Sequence, residues 1–363
     1  MALTDLCRYP IVQAPMAGGA SGPALAAAVS EAGGLGFLAA GYKTADGMYQ
    51  EIKQVRGLTG QPFGVNLFMP QEPHTDPAAI EVYRHQLAGE ASWYETPLGD
   101  ADSGGDDNYE AKLAILREDP VPVVSFTFGC PERAVLDAFA KVGTYTIVTV
   151  TTPQEAQAAQ WAGADAVCVQ GVEAGGHQGT HRDDPEAGGA GIGLLTLIGL
   201  VREAVQLPIV ASGGLMRGAQ IAAVLAAGAD AAQLGTAFLV CPESGANVLH
   251  KQALTNPLFV RTELTRAFSG RPARGLVNRF MREHGPYAPA GYPQVHQLTA
   301  AVRKAAAAAG DPQGMALWAG QGHRLARELP AGRLVEVLAD ELDAAAAELT
   351  VTLQNLRNMR SAS

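Results

Sequence analysis

Three kinds of residue stand in this sequence in patterns that could do chemistry: a histidine behind paired glycines, glycines next to small hydroxyl residues, and amides closing apolar runs. His177 ends the stretch Glu173-Ala174-Gly175-Gly176-His177, whose glycines let the backbone approach a planar ligand. An imidazole there suits the abstraction of a carbon-bound proton, or the holding of an anion when protonated. A loop histidine is also a common surface residue, and a neighbouring ligand site is what separates the two readings. Ser212-Gly213-Gly214 and Gln233-Leu234-Gly235-Thr236 supply the backbone N–H groups and a hydroxyl that a phosphate needs. The bland alternative is that these glycines only make tight turns.

Asn66, Gln170 and Gln233 sit at or near the ends of apolar runs, where an unpaired amide costs about 1–3 kcal/mol. Amides can match the alternating donors and acceptors on the edge of a flavin ring in either orientation; structural amides satisfied by loop backbone remain open. Gln13-Ala14-Pro15-Met16 closes the first such run.

Other candidates read as structural. His181 follows His177, but Gly179 and the polar Arg182-Asp183-Asp184 tract disfavour a helical metal pair, and no metal is expected. Glu173 is expected to bond local backbone N–H groups rather than act as a general acid. The four cysteines, Cys7, Cys130, Cys168 and Cys241, are far apart with no CxxC, so reduced buried thiols are expected. The 182–191 tract reads as a mobile loop that gates the mouth. Pro286-Tyr287, Tyr292-Pro293 and His296 either place aromatic and imidazole groups over a ligand or simply pack.

Residues scattered this widely need a scaffold that gathers them. Short β-branched or apolar runs at 11–14, 35–39, 63–68, 121–126, 145–150, 166–170, 208–211 and 231–234 alternate with Ala-rich stretches. Helices are predicted at 131–141, 153–161 and 217–227, where proline or a polar residue opens and glycine closes two of the three. The fold class is therefore α/β, a (β/α)8 TIM barrel with an active site at the C-terminal strand ends. A doubly wound sheet would carry a GxGxxG after the first strand, and none follows Gln13. Residues 1–254 form the barrel, with an excursion at about 70–119 carrying one or two helices over the mouth. Residues 255–363 form a C-terminal cap, with helices at about 296–309 and 322–347 packing on the barrel.

The 363-residue chain carries a net charge of −10 and has no Lys/Arg run, which argues against nucleic acid or an anionic membrane as the main partner. No apolar run of about 18 residues and no basic leader with an apolar core occurs, so a cytoplasmic protein is expected, as monomer or homodimer.

Taken together, Gln13-Ala14-Pro15-Met16, Gly64-Val65-Asn66-Leu67-Phe68, the 170–177 run, Ala211-Ser212-Gly213-Gly214 and Gln233-Leu234-Gly235-Thr236-Ala237-Phe238 resemble the nitronate monooxygenase family in order and spacing over almost the whole chain. Leu317-Trp318-Ala319-Gly320-Gln321 looks like the terminal motif of bacterial class I members. The resemblance implies non-covalent FMN and a family reaction in which alkyl nitronates such as propionate 3-nitronate are oxidised with O2 to a carbonyl compound and nitrite. It implies His177 as the catalytic residue. The cofactor-binding set it implies is Ala14, Pro15, Met16, Asn66, Gln170, Gly175, Gly176, Ser212, Gly213, Gly214, Gln233, Leu234, Gly235 and Thr236. The substrate set is Thr127, Tyr292 and His296. Here the chain departs from the family pattern, since class I relatives often carry His in place of Thr127, and Tyr or Lys where His296 and Ala300 stand. A nitronate is already a carbanion equivalent, so His177 is expected to position and charge-balance it, acting as base only for neutral nitroalkanes. The rival enzyme reading is an NAD(P)H-dependent flavin reductase, acting on enoyl thioesters or quinones, which shares the Gly175-Gly176-His177 loop. A flavin sensor without catalysis has no need of His177.

Overall fold

A computed structural model describes residues 3–71, 76–103, 105–183 and 191–361. The barrel strands are β1 (Ile11–Gln13), β2 (Gly36–Ala39), β3 (Phe63–Phe68), β4 (Val123–Thr127), β5 (Tyr145–Val150), β6 (Ala166–Gln170), β8 (Ile209–Ser212) and β9 (Ala231–Leu234), with β7 (Gly176–His177) lying outside the barrel. They pair in parallel in the order β1-β9-β8-β6-β5-β4-β3-β2. A parallel bridge between Val12 and Leu35 brings β1 to β2 and closes the ring. This is the expected TIM barrel. Both faces of every strand are covered, which is why the strands read as near-continuous apolar runs rather than as alternating ones.

Side chains two apart share a face, and the inward set changes character along the barrel axis. Val12, Leu35, Phe37, Val123, Tyr145, Ile147, Ala166, Val210 and Ala231 fill the lower half as one buried cluster. Leu3 and Leu6 join that cluster from the N-terminal segment. A Cβ on Gly64 would lie 2.2 Å from the Phe37 ring, so a glycine in β3 makes room for an aromatic from β2. Continuing the same parity toward the C-terminal ends gives Asn66, Ser125, Thr127, Thr149, Gln170, Ser212 and Gln233. The lower layers hold the barrel together and the upper one is polar.

The helix Pro153–Ala162 shows how the connecting segments are set: Thr152 accepts from the Glu155 N–H, Pro153 opens the helix, and Gly163 closes it at φ 99°. Within 70–119, Tyr109–Glu118 packs on Ala45–Leu58 as a barrel helix, while Pro77–Gln86 and Ala88–Trp93 form the excursion. The excursion shares a small core with the C-terminal region through Ile80, Tyr83, Leu87, Phe268, Phe280 and Leu298. The Tyr83 hydroxyl donates to the Ala267 carbonyl at 2.7 Å.

Two features differ from the sequence reading. The region after residue 254 contains β10 (Thr262–Thr265) and β11 (Ala273–Leu276), and β11 pairs antiparallel with β7. These strands are four residues long, and Glu in the first and Ala, Arg and Gly in the second dilute what strand signal the threonines give. The final helix runs Ala331–Ser361 rather than from 322, beginning after Pro330. It packs on the outer helices Gly218–Ala226 and Pro23–Glu31, on the barrel flank. The mouth is instead lined by the helix Gln294–Ala308 and the segment around Trp318. Most of the tract read as a gating loop, residues 184–190, lies outside the described residues.

Candidate active site

The polar upper layer forms the floor of a cavity of about 600 Å3, within the range of small-molecule sites. Asn66, Thr127, Gln170, Ser212 and Gln233 line it from the strands. Ala14, Pro15 and Met16 line one side, and Gly175, Gly176 and His177, with Gly213, Gly214, Gly235 and Thr236, the other walls. His296 closes it from the cap helix. Two expected residues lie off the wall. The Leu234 side chain is buried in the main core while its carbonyl accepts the Ala14 N–H at 2.9 Å. Tyr292 stands behind the wall with its ring centroid 5.7 Å from His177.

The amides divide by what they bond. Gln170 is committed to the histidine loop: its Nε2 donates to the His177 carbonyl at 3.1 Å and its Oε1 accepts the Gly179 N–H at 2.7 Å. Gln13, fully buried, ties β1 to β2 by accepting the Phe37 N–H at 2.9 Å. Asn66 donates Nδ2 to the Ser125 and Thr127 hydroxyls at 2.9 and 3.0 Å. Gln233 has weaker protein partners, Cys168 Sγ at 3.3 Å and Ser212 Oγ at 3.4 Å. Asn66 and Gln233 are thus the two amides with capacity left for a ligand.

At the opposite wall, β7 carries His177, and pairing of Ala273 with His177 sets its backbone. Its Nε2 lies 2.9 Å from Ser269 Oγ, and the Ser269 hydroxyl is within 3.2 Å of the Arg271 carbonyl. Burial, reinforced by the charges of Arg271 and Arg303, pushes the imidazole down to about 3. It is neutral near pH 7, so it does not supply the positive charge that the sequence reading assigned to a protonated histidine.

Gly213 and Gly214 adopt φ of 145° and 68°, backbone that L side chains rarely take. Among the described residues no acceptor takes their N–H groups or that of Gly235, which leads into the helix Thr236–Leu239. Free N–H groups at a helix start are what an anionic oxygen binds. The Thr236 hydroxyl accepts the Gly320 N–H at 2.9 Å, leaving its proton to donate. The segment 317–321 therefore braces this cradle from behind. It also explains Gly175 in part: a Cβ there would meet the Ala319 backbone at 2.5 Å, so this glycine admits protein as well as ligand.

The roof is aromatic and cationic. Tyr42 and His296 stack at 4.4 Å with 6° between planes, and the Tyr292 hydroxyl donates to that of Tyr42 at 3.2 Å. Phe128 holds φ 75°, a left-handed conformation that costs a non-glycine residue about 1 kcal/mol or more. Its ring lies 4.2 Å from the buried Arg271 guanidinium and edge-on to His177 at 5.9 Å. Arg271 in turn binds Gln71 Oε1 and the carbonyls of Gln178 and Thr180, clamping the chain beyond His177. Arg303 and Lys304 line the cavity; no Asp or Glu does so among the described residues. In a chain with 36 acidic residues, that selects for an anionic ligand.

The residues read as structural are placed as such. Glu173 accepts the Leu194 N–H with both oxygens, at the start of the helix Leu194–Ala204. His181 donates to the Thr149 carbonyl at 2.9 Å, apart from His177. Burial pushes the Cys168 and Cys241 thiols up to about 12 and those of Cys7 and Cys130 to about 11, away from thiolate reactivity. A Glu90, Glu283 and His284 cluster lies between the excursion and the C-terminal helix Arg279–His284, where Arg279 pairs with both glutamates. The sequence reading missed Tyr42, Ser269 and Arg303 and gave Trp318 no role. Tyr42 directly follows Gly41 beyond β2, the position at which the other strands deliver site residues, and that signal was readable.

The family model described as nitronate monooxygenase matches residues 1–341. A nitronate monooxygenase of Pseudomonas aeruginosa is 45% identical, over 92% of this chain and 96% of its own. Among solved structures, nitroalkane oxidase from Streptomyces ansochromogenes is 73% identical with a TM-score of 0.94, over 96% of this chain and 100% of that one. FabK from Thermotoga maritima is 28% identical with a TM-score of 0.75, over 96% and 98%.

Proposed function

The chain belongs to the nitronate monooxygenase family, and from that premise and the cavity we propose that it is an FMN-dependent nitronate monooxygenase that oxidises alkyl nitronates such as propionate 3-nitronate with O2 to a carbonyl product and nitrite. The observation that carries the reading is one cavity holding a glycine cradle with free N–H groups, a neutral histidine and cations without a lining carboxylate among the described residues.

Bound non-covalently, FMN would supply the electron acceptor that the protein's own side chains lack. The residues present fit it: N–H groups of Gly213, Gly214 and Gly235 with the Thr236 hydroxyl for the phosphate, and Asn66 and Gln233 for polar ring atoms. The Ala14-Pro15-Met16 turn supplies an apolar wall.

The chain's own work is binding and proton handling. With the Ser269 proton directed to the Arg271 carbonyl, His177 donates from Nε2 and keeps a lone pair on Nδ1. That nitrogen can take the carbon-bound proton of a neutral nitroalkane; a nitronate has already lost it, and His177 then only shapes the pocket. The aromatic roof keeps water from the reacting carbon. No helix among the described residues is long and apolar enough to cross a membrane, and the proposal places the reaction in the cytoplasm, on a small diffusible substrate.

Nitrite release and oxygen uptake by the purified yellow protein supplied with propionate 3-nitronate test this reading. Turnover in proportion to bound FMN supports it; a protein that cannot be loaded with FMN, or that is loaded and inert, sinks it.

A further inference from the structure

Arg303 is the one arginine on the described wall of the cavity, and its guanidinium is only partly bonded. On the helix Gln294–Ala308, its Nε donates to Thr299 Oγ1 at 3.1 Å and its Nη2 donates to the His296 carbonyl at 2.9 Å and to His296 Nδ1 at 3.4 Å. Thr299 is itself fixed, donating to the Phe268 carbonyl at 2.6 Å. Nη1 has no protein partner among the described residues, and no carboxylate there pairs with this arginine. Other enclosed arginines are committed elsewhere: Arg279 and Arg327 pair with Glu90 and Glu341, all three nitrogens of Arg271 bond protein acceptors, and Arg274, which bonds the Val172 and Thr262 carbonyls, lies off the cavity wall.

We propose that Arg303 binds the nitro-group oxygens of the substrate and, by its charge, makes the site prefer nitronates to neutral nitroalkanes. The assignment rests on reading the cavity as a nitronate site. A nitronate is a planar anion with two oxygens on one atom, the shape that a guanidinium edge matches in carboxylates. Enclosure in an aromatic pocket strengthens the attraction. Position favours this ligand over the flavin phosphate: Arg303 bonds His296, which packs on Tyr292 at 6.2 Å, and Tyr292 packs on His177. The phosphate has the glycine cradle and Thr236.

The test compares FMN-loaded wild type with Arg303→Met and Arg303→Lys, using ethyl nitronate, nitroethane and the unreactive isostere propionate. Arg303→Met is expected to raise KM for ethyl nitronate by about 30-fold or more, with kcat changed by less than roughly 3-fold. KM for nitroethane, which loses the hydrogen bonds but no charge pairing, rises by less than about 5-fold, and the Kd of FMN stays within roughly 2-fold. Arg303→Lys restores part of the loss, which a merely helix-bracing arginine would not require. Calorimetric binding of propionate to wild type should be lost in Arg303→Met. Equal KM rises for anion and neutral substrate, weakened FMN with unchanged substrate KM, or equal propionate binding by wild type and variant each overturn the assignment. A wild type that binds propionate through Arg303 yet oxidises no nitronate would overturn the proposed function and leave the anion site standing.

Discussion

His177 Nε2 lies 2.9 Å from the hydroxyl of Ser269, and in the proposed reaction this contact sets which imidazole nitrogen is free for the substrate. Ser269 is almost fully buried, and its proton has the Arg271 carbonyl to go to. The imidazole therefore donates from Nε2, and Nδ1 is left as the acceptor. β11 fixes the geometry twice, pairing through Ala273 with His177 and through Gly275 with Trp318.

Base catalysis is needed for a nitroalkane and not for a nitronate. His177→Asn should lower kcat/KM for nitroethane by about 100-fold or more while costing ethyl nitronate less than about 10-fold. Ser269→Ala, which frees the tautomer, should show the same asymmetry at about a tenth of the size. Equal losses on the two substrates would count against a proton-abstracting role.

The glycine cradle makes a separate claim about FMN. Gly214 holds φ 68°, and a Cβ there would lie 3.1 Å from Glu173 Cβ. Gly214→Ala should strain the turn by about 1 kcal/mol or more and raise the FMN Kd at least about 5-fold, read by fluorescence titration. Unchanged FMN affinity would place the phosphate elsewhere.

Three imidazoles make stability depend on pH. Burial, aided by nearby cations at two of them, pushes His177 to about 3, His296 to about 2 and His250 to about 4. Each lies below the unfolded value of about 6.5. The unfolded chain therefore takes up protons that the folded chain refuses, and stability falls as pH drops from about 6.5 toward about 4. Above about 6.5 these groups add no pH dependence. Urea midpoints should fall between pH 7.5 and 5, and His250→Gln should make the fall shallower. A flat midpoint in wild type would contradict the assignment of neutral histidines.

The barrel was legible because its strands are buried on both faces and therefore apolar throughout, and the polar residues that break the pattern, Asn66, Gln170 and Gln233, stand where the floor turns polar. Which amides remain free for a ligand was not legible, since Gln170 is committed to the loop that follows it by contacts with His177 and Gly179. Ser269 and Arg303 were hidden for another reason: they come from a region with no barrel rhythm and reach the site only through tertiary contacts, Ser269 to His177 and Arg303 to His296. The strands Thr262–Thr265 and Ala273–Leu276 escaped because pairing with a neighbour, not composition, makes them strands.

The cavity, as proposed, delivers a nitronate to bound FMN and has no productive use for a nicotinamide. Anaerobic mixing of the yellow protein with propionate 3-nitronate and, separately, with NADH, following the flavin absorbance, tests it directly. A rapid spectral change is expected with the nitronate and none with NADH. Bleaching by NADH with no response to the nitronate would contradict it and identify a flavin reductase.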